Sequence, residues 1–301
     1  MIMVMAVLSA VLFSCVREEM ACDKELIVVQ RIGEGGYVYT RGAVISSNTD
    51  LKEETFGLYG SLTPNASVPQ AYFNASATVN TDLTATISPL QYWPGLLNAS
   101  MKFFSWYPYS DADAPAASFA DPGEMVLNYA ANASAANHVD VLAAISGPVW
   151  VEGVNIHFYH TLTKVTFTFK KVAPVPDEVT IEKIEFWNVG KSGKLAMVEI
   201  PTATTKNGKP KFVWSDIATG KVTSVPTGNK TVTEDATLIG DTFLMLPTDA
   251  FSATAKIVVT TNFGDREFLF SDILAKNPHS WESGEYINYN LTISNETYQL
   301  S

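Results

Sequence analysis

His157 and His160 are the one close histidine pair in the chain, and metal binding is the chemistry such a pair would perform. Both fall in an apolar-polar alternation that predicts a β-strand, and strand residues three apart face opposite sides. They cannot grip one ion from there, so His160 is expected to tuck into a sheet with a hydrogen bond. His138 and His279 are isolated. Gly190-Lys191-Ser192 resembles the end of a phosphate-binding loop, but Glu185 stands where the leading Gly of that motif belongs. The residues after it read as strand, so no helix N-terminus would face a phosphate, and the tripeptide reads as a turn. Gly33-Glu34-Gly35-Gly36 lacks dinucleotide-fingerprint spacing and reads as a connector. No Gly-x-Ser-x-Gly elbow occurs. The acidic residues are plentiful, but sequence cannot set two of them face to face across a glycosidic bond. The expectation is therefore no enzyme, no cofactor and no metal site.

Cys15 carries a different chemistry. Met1 to Ser14 is uncharged and mostly apolar, too short for the ~20 residues of a membrane span. It is long enough for the apolar core of an export signal. Leu12-Phe13-Ser14-Cys15 resembles the lipobox of bacterial lipoproteins, in which the signal is cut before a Cys that then carries lipid. Arg17-Glu18-Glu19 resembles the export signal of surface lipoproteins in Bacteroidetes. The expected location is the outer membrane, surface-exposed, tethered through Cys15. Beyond it only Cys22 remains, so no internal disulfide can form in the mature chain.

The elements that must position any site are strands. Val165, Phe167 and Phe169 alternate with Lys164, Thr166, Thr168 and Lys170. Ile287, Tyr289, Leu291 and Ile293 alternate with Tyr286, Asn288, Asn290 and Thr292. Lys256 to Ser271 reads as a hairpin turning at Asn262-Phe263-Gly264-Asp265, and Asn207-Gly208 marks another tight turn. Between Val179 and Trp187 the apolar parity switches, as a β-bulge would make it. Residues 108–137 are rich in Ala, Asp, Ser and Asn and read as a long loop or insertion. No window has a capped helical period, so the fold class is all-β, built as antiparallel sandwiches. The 47% hydrophobic content supports real cores, and the length favours two domains over one. Ala173-Pro174-Val175-Pro176-Asp177 is the best linker. The expected division is 1–14 signal, 15–41 pro-segment, 42–173 first domain and 174–301 second domain, the last boundary to within about 20 residues. A net charge of −11 argues against a nucleic-acid partner. Tyr92, Trp93, Trp106, Tyr107, Trp187, Trp214 and Trp281 could build a sugar-stacking platform, although aromatics in alternating strands more often pack the core.

An ordered series of motifs spans nearly the whole chain. It runs from Thr40-Arg41-Gly42 through Phe56-Gly57-Leu58-Tyr59-Gly60, Tyr92-Trp93-Pro94 and Met101-Lys102-Phe103-Phe104-Ser105-Trp106-Tyr107-Pro108. Asp140-Val141-Leu142-Ala143 and Ile156 to Val165 follow, then Phe243-Leu244-Met245-Leu246-Pro247 and Trp281-Glu282-Ser283-Gly284-Glu285-Tyr286. In this order the chain resembles the fimbrillin (Mfa-like, FimA-like) surface lipoproteins of Bacteroidales. The resemblance implies two tandem transthyretin-like (Ig-like, Greek-key) β-sandwich domains and a role in surface fimbriae, the type V pili that mediate adhesion. It also implies that a trypsin-like protease cuts after an Arg, which maps to Arg41. The cut would remove an N-terminal strand, Leu26 through Arg31 or Tyr37 through Tyr39, and open a groove. A strand from a neighbouring fimbrial subunit then fills the groove by β-augmentation. Ile287, Tyr289, Leu291 and Ile293 are the candidate donor strand. Only Ser294 to Ser301 follows it, which is short for a free donor and leaves tip, accessory and anchor roles open. The implied partners are other fimbrial subunits, the outer membrane through the lipid, and a host or bacterial surface receptor. A monomeric glycan-binding surface lipoprotein is the competing reading.

Overall fold

The structure is a computed structural model that describes residues 25–34, 45, 47–65, 67–150, 153–172, 178–294 and 298–300. Cys15, Cys22, Arg41, Tyr37 to Tyr39 and the 173–177 linker lie outside the described residues. The chain is all-β, as its period-two patterning predicts.

The first strands are β1 (Val29–Glu34), β2 (Thr55–Pro64), β3 (Gln70–Val79), β4 (Ala85–Ser88) and β5 (Ala99–Tyr107). They are followed by β6 (Ala116–Ser118), β7 (Met125–Ala130), β8 (Leu142–Val149) and β9 (Val154–His160). Seven of these close a barrel in the order β1-β4-β3-β2-β5-β8-β9. All neighbours are antiparallel except β1 and β9, whose parallel pairing closes the ring. Inward residues of each strand fill the interior: Phe56 and Leu58 from β2, Met101 and Phe103 from β5, Ile156 and Phe158 from β9. Phe56 and Phe158 meet edge to face at 5.3 Å between ring centroids. Closure leaves no sheet edge along the ring, so pairing groups are satisfied internally.

The second half holds β10 (Thr163–Lys171), β11 (Val179–Met197), β12 (Ser215–Ser224), β13 (Thr231–Val232), β14 (Thr237–Leu238) and β15 (Phe243–Met245). Then come β16 (Lys256–Thr261), β17 (Gly264–Leu269), the short helix α1 (Phe270–Lys276), β18 (Tyr286–Ile293) and β19 (Tyr298–Leu300). β10 lies between β14 and β15 on one edge and β18 on the other, and β19 borders β18. The facing sheet is ordered β17-β16-β11-β7-β6, with β12 and β13 also on β11. Between the sheets sits an aromatic core of Phe167, Phe186, Phe243, Phe270, Trp281 and Tyr289. The expected hairpin is β16–β17, and the expected parity switch is a register shift between Ile181 and Lys183. The turn at Asn207-Gly208 also forms, with Gly208 at φ +75° donating to Thr205 O at 3.0 Å.

Two expectations need correction. Residues 108–137 are not merely a loop: they supply β6 and β7, and β7 pairs antiparallel with the C-terminal end of β11. This excursion joins the barrel half to the second-half sheets. Met125, Leu127 and Tyr129 of β7 meet Tyr59, Phe104 and Trp106 on the outer barrel face in a third apolar core, with Leu195, Met197, Phe212 and Trp214. Gly57 permits this layer, because a Cβ there would fall 2.1 Å from the Trp106 ring. Gly190-Lys191-Ser192, read as a turn, lies inside the 19-residue strand β11. The strand continues through the glycines by local register shifts between Gly190 and Ser192 and between Ser192 and Lys194. At Gly193 a Cβ would press to 2.9 Å from Leu246 Cδ2, so the glycine there admits a neighbouring side chain and has no role with phosphate.

Candidate functional site: the seam occupied by the first strand

The segment from Glu25 to Glu34 fills a slot between β4 and β9. Its sequence, Leu26-Ile27-Val28-Val29-Gln30-Arg31-Ile32, is β-prone, and its buried residues are Ile27, Val29 and Ile32. The spacing breaks from two to three because the register against β9 shifts between Val29 and Arg31. A bulge at this point keeps Ile32 pointing inward. Backbone hydrogen bonds tie both edges. Ile27 N donates to Gln91 O (2.9 Å) and Trp93 N to Glu25 O (2.8 Å). Ile32 N donates to Leu83 O (2.7 Å), and Val154 N to Val28 O (2.9 Å).

Full burial of Val- and Ile-sized side chains stabilises by about 1.5–3 kcal/mol each. The three inward residues of the segment, Ile27, Val29 and Ile32, therefore contribute about 5–9 kcal/mol, comparable to the whole stability of a typical domain. Removing β1 with nothing in its place would expose that slot and two rows of unpaired backbone groups. An incoming strand with apolar residues at alternate positions would restore both terms.

The chain resumes after the undescribed stretch at Ile45, which is firmly held. Its side chain is buried, and its N–H donates to Asp140 Oδ2 at 3.1 Å. Asp140 is itself buried, and His160 Nδ1 donates to it at 3.0 Å. The sequence reading found His160 as a packed, hydrogen-bonded histidine. It gave Asp140 no role, although the invariant chemistry of a buried Asp, a need for donors, points to one. His157 lies on the opposite, exposed face of β9, so the pair cannot share an ion, and no cluster among the described residues could hold a metal.

Of the candidate donor residues, Tyr289, Leu291 and Ile293 are buried in the core between the second-half sheets, and Ile287 is partly buried. β18 pairs parallel with β10 from Lys164–Tyr286 to Lys171–Ile293, and antiparallel with β19 on its other edge. The Tyr289 hydroxyl lies 2.9 Å from His279 Nε2 and accepts from Trp281 Nε1 at 3.1 Å. The tryptophans of the supposed sugar platform are scattered: Trp93, Trp106, Trp214 and Trp281 are buried in packing contacts.

A closed barrel completed by the parallel pairing of its first and ninth strands, joined to a two-sheet β-sandwich, defines the class of all-β protein to which the described residues belong. A sequence profile described as fimbrillin-like matches residues 40–301, and the chain belongs to that family. Solved structures share its fold. A fimbrial protein from Bacteroides vulgatus superposes with a TM-score of 0.57 at 13% identity, covering 91% of this chain and 97% of that one. A candidate cell-adhesion protein from Bacteroides uniformis gives 0.56 at 17% identity, covering 92% and 95%. One from Bacteroides ovatus gives 0.57 at 14%, covering 92% and 95%. No curated protein matches the sequence.

Proposed function

We propose that this chain is a subunit of surface fimbriae that accepts a strand from a neighbouring subunit in the slot now held by β1. In this reading it is exported as a lipoprotein acylated at Cys15 and reaches the outer surface with β1 in place. A trypsin-like protease then cuts after Arg41, β1 leaves, and the donor strand pairs with β4 and β9. The observation that carries the reading is the seating of residues 25–34 in the slot and the pinning of Ile45 by Asp140, with Arg41 between the two in sequence. The new end at Gly42 would stand three residues from the Asp140 contact, so the barrel keeps its anchor while the stave departs.

The donor half is more costly. Ile287, Tyr289, Leu291 and Ile293 could serve a neighbour only after β18 left a sheet in which both of its edges are paired. The terminal β19 is the outer strand and would leave first. This balance favours a subunit that receives a strand without giving one, at an end of the fibre. The mature N-terminus on cells tests the scheme: Gly42 in assembled fimbriae supports strand acceptance, and acylated Cys15 there would instead mark an anchor with its slot still closed.

A further inference from the structure

One end of the barrel is rich in exposed apolar side chains on loops that themselves carry little charge, with Glu25 and the Asp121–Glu124 turn at its margin. Three loops meet there: 65–69 between β2 and β3, 89–98 between β4 and β5, and 150–153 between β8 and β9. The pairing of Pro64 with Ala99 and of Met101 with Val149 brings their ends together, and Asn65 N donates to Asn98 O at 3.1 Å. Their sequences hold a single charged residue, Glu152, and no charge occurs from Leu83 to Met101. Yet Leu97 is 88% exposed, Val68 77% and Trp150 61%, and Leu90, Tyr92 and Leu96 are exposed beside them. The longest loop is a built feature. Trp93 is buried against Phe103 with ring centroids 6.0 Å apart, and Tyr72 donates to Tyr92 O at 2.8 Å. Large exposed apolar patches mark interaction surfaces.

The chain's own N-terminal segment says what lies against this end. Trp93 N donates to Glu25 O, so Glu25, ten residues after Cys15 in the sequence, is held beside loop 89–98. Ten peptide units separate Cys15 from Glu25 and span at most about 35 Å in any conformation. A lipid on Cys15 would therefore keep Glu25 and the loop beside it within about 35 Å of the bilayer. Trp and Tyr favour the interfacial zone, and Leu and Val the adjoining acyl region.

We infer that the apolar barrel tip, with Leu97, Leu96, Leu90, Val68 and Trp150, inserts into the membrane interface and acts as a second contact beside the N-terminal lipid. The inference concerns the form that retains its N-terminal segment, and its tethered version rests on acylation of Cys15. A lipid on Cys15 tethers the chain to the bilayer without setting how the barrel faces it. The tip also fixes orientation, standing the barrel upright with the second-half sheets outward.

The test uses the acylated chain in phosphatidylcholine–phosphatidylethanolamine vesicles with brominated acyl chains. Tryptophan emission is expected to be quenched more in the natural chain than in Trp150→Phe, and that difference to vanish in a Leu96→Asp, Leu97→Asp variant. Vesicle-bound protein with equal emission in brominated and plain lipid overturns the inference. The unacylated Cys15→Ser chain, titrated with the same vesicles to millimolar lipid, separates the two assumptions. A blue shift that needs Trp150 supports the tip whatever happens at Cys15, and its absence overturns the tip. Failure of the chain made in its native setting to float with membranes, with the blue shift intact, contradicts only the lipid. Lipid-free dimers abolished by Leu97→Asp would assign the patch to a second copy and overturn membrane insertion.

Discussion

β1 and β18 are the two strands that join their sheets in parallel pairing, one against β9 and the other against β10. The segment leading into and through β1 buries Ile27, Val29 and Ile32, and β18 buries Tyr289, Leu291 and Ile293, yet they are fixed in different ways. β1 is bulged and fills a slot in a ring that keeps six other strands. β18 runs through eight paired positions without a register shift and carries Tyr289 into hydrogen bonds with His279 and Trp281. The comparison teaches that burial alone does not decide which strand can be exchanged. In the proposed scheme the deciding features are whether the rest of the sheet survives the departure and whether the chain is cut beside the strand.

The largest effect is expected from deleting residues 25–34 outright. The barrel should lose about 5–9 kcal/mol and fail to fold alone, while an added strand peptide rescues it. Circular dichroism with and without peptide reads this, and a stable strandless barrel would break the comparison. Next, Tyr289→Ala should cost about 3–5 kcal/mol in urea unfolding, in the range of large aromatic truncations. Ile32→Ala should cost less, about 2–4 kcal/mol, and should also speed release of β1 after cleavage, which Tyr289→Ala should not. Asp140→Ala removes the acceptor for Ile45 N and His160, with an expected loss of about 2–3 kcal/mol. Amide exchange near Ile45 should rise first; unchanged protection there would show that the anchor lies elsewhere.

The smallest effect is one of pH. His138 is buried, accepts from Leu244 N through Nδ1 at 2.9 Å, and contacts Asn132 O through Nε2 at 3.0 Å. Burial pushes its pKa below the ordinary 6.5. The native state therefore binds this proton more weakly than the unfolded chain. Stability is fully present above about 6.5 and falls as pH drops below it, by at most about 1.4 kcal/mol per unit. The loss should fall on the second-half sheet carrying Leu244, leaving the β1 seam alone, and His138→Gln should flatten it.

Much of this was legible in the sequence, for physical reasons that differ by region. The period-two runs at Val165–Phe169 and Ile287–Ile293 fix strand identity and buried faces, because one face of each meets a packed core. The turn at Asn207-Gly208 and the β16–β17 hairpin follow from local turn chemistry. β7 was hidden although Met125, Leu127 and Tyr129 alternate with Val126 and Asn128, because Ala, Asn and Ser on both sides dilute the pattern. Gly190 to Gly193 misled because glycine serves turns and close strand packing alike, and only the position of Leu246 decides between them. In the seam, the strand at Leu26–Arg31 was readable, but its parallel pairing was not. The continuous run from Leu26 to Val29 does not reveal which residues face inward. Asp140 stayed unassigned because its partners, Ile45 and His160, are 95 and 20 residues away.

The central claim is that β1 is exchangeable and β18 is not. Native mass spectrometry tests it on the chain cut with a trypsin-like protease in excess of a peptide carrying the Tyr286–Leu300 sequence. The account predicts a species of residues 42–301 bound to one peptide, with the 15–41 fragment gone and β18 amides still protected from exchange. A 42–301 species that keeps its own fragment against excess peptide, or that takes up peptide with loss of β18 protection, would contradict it.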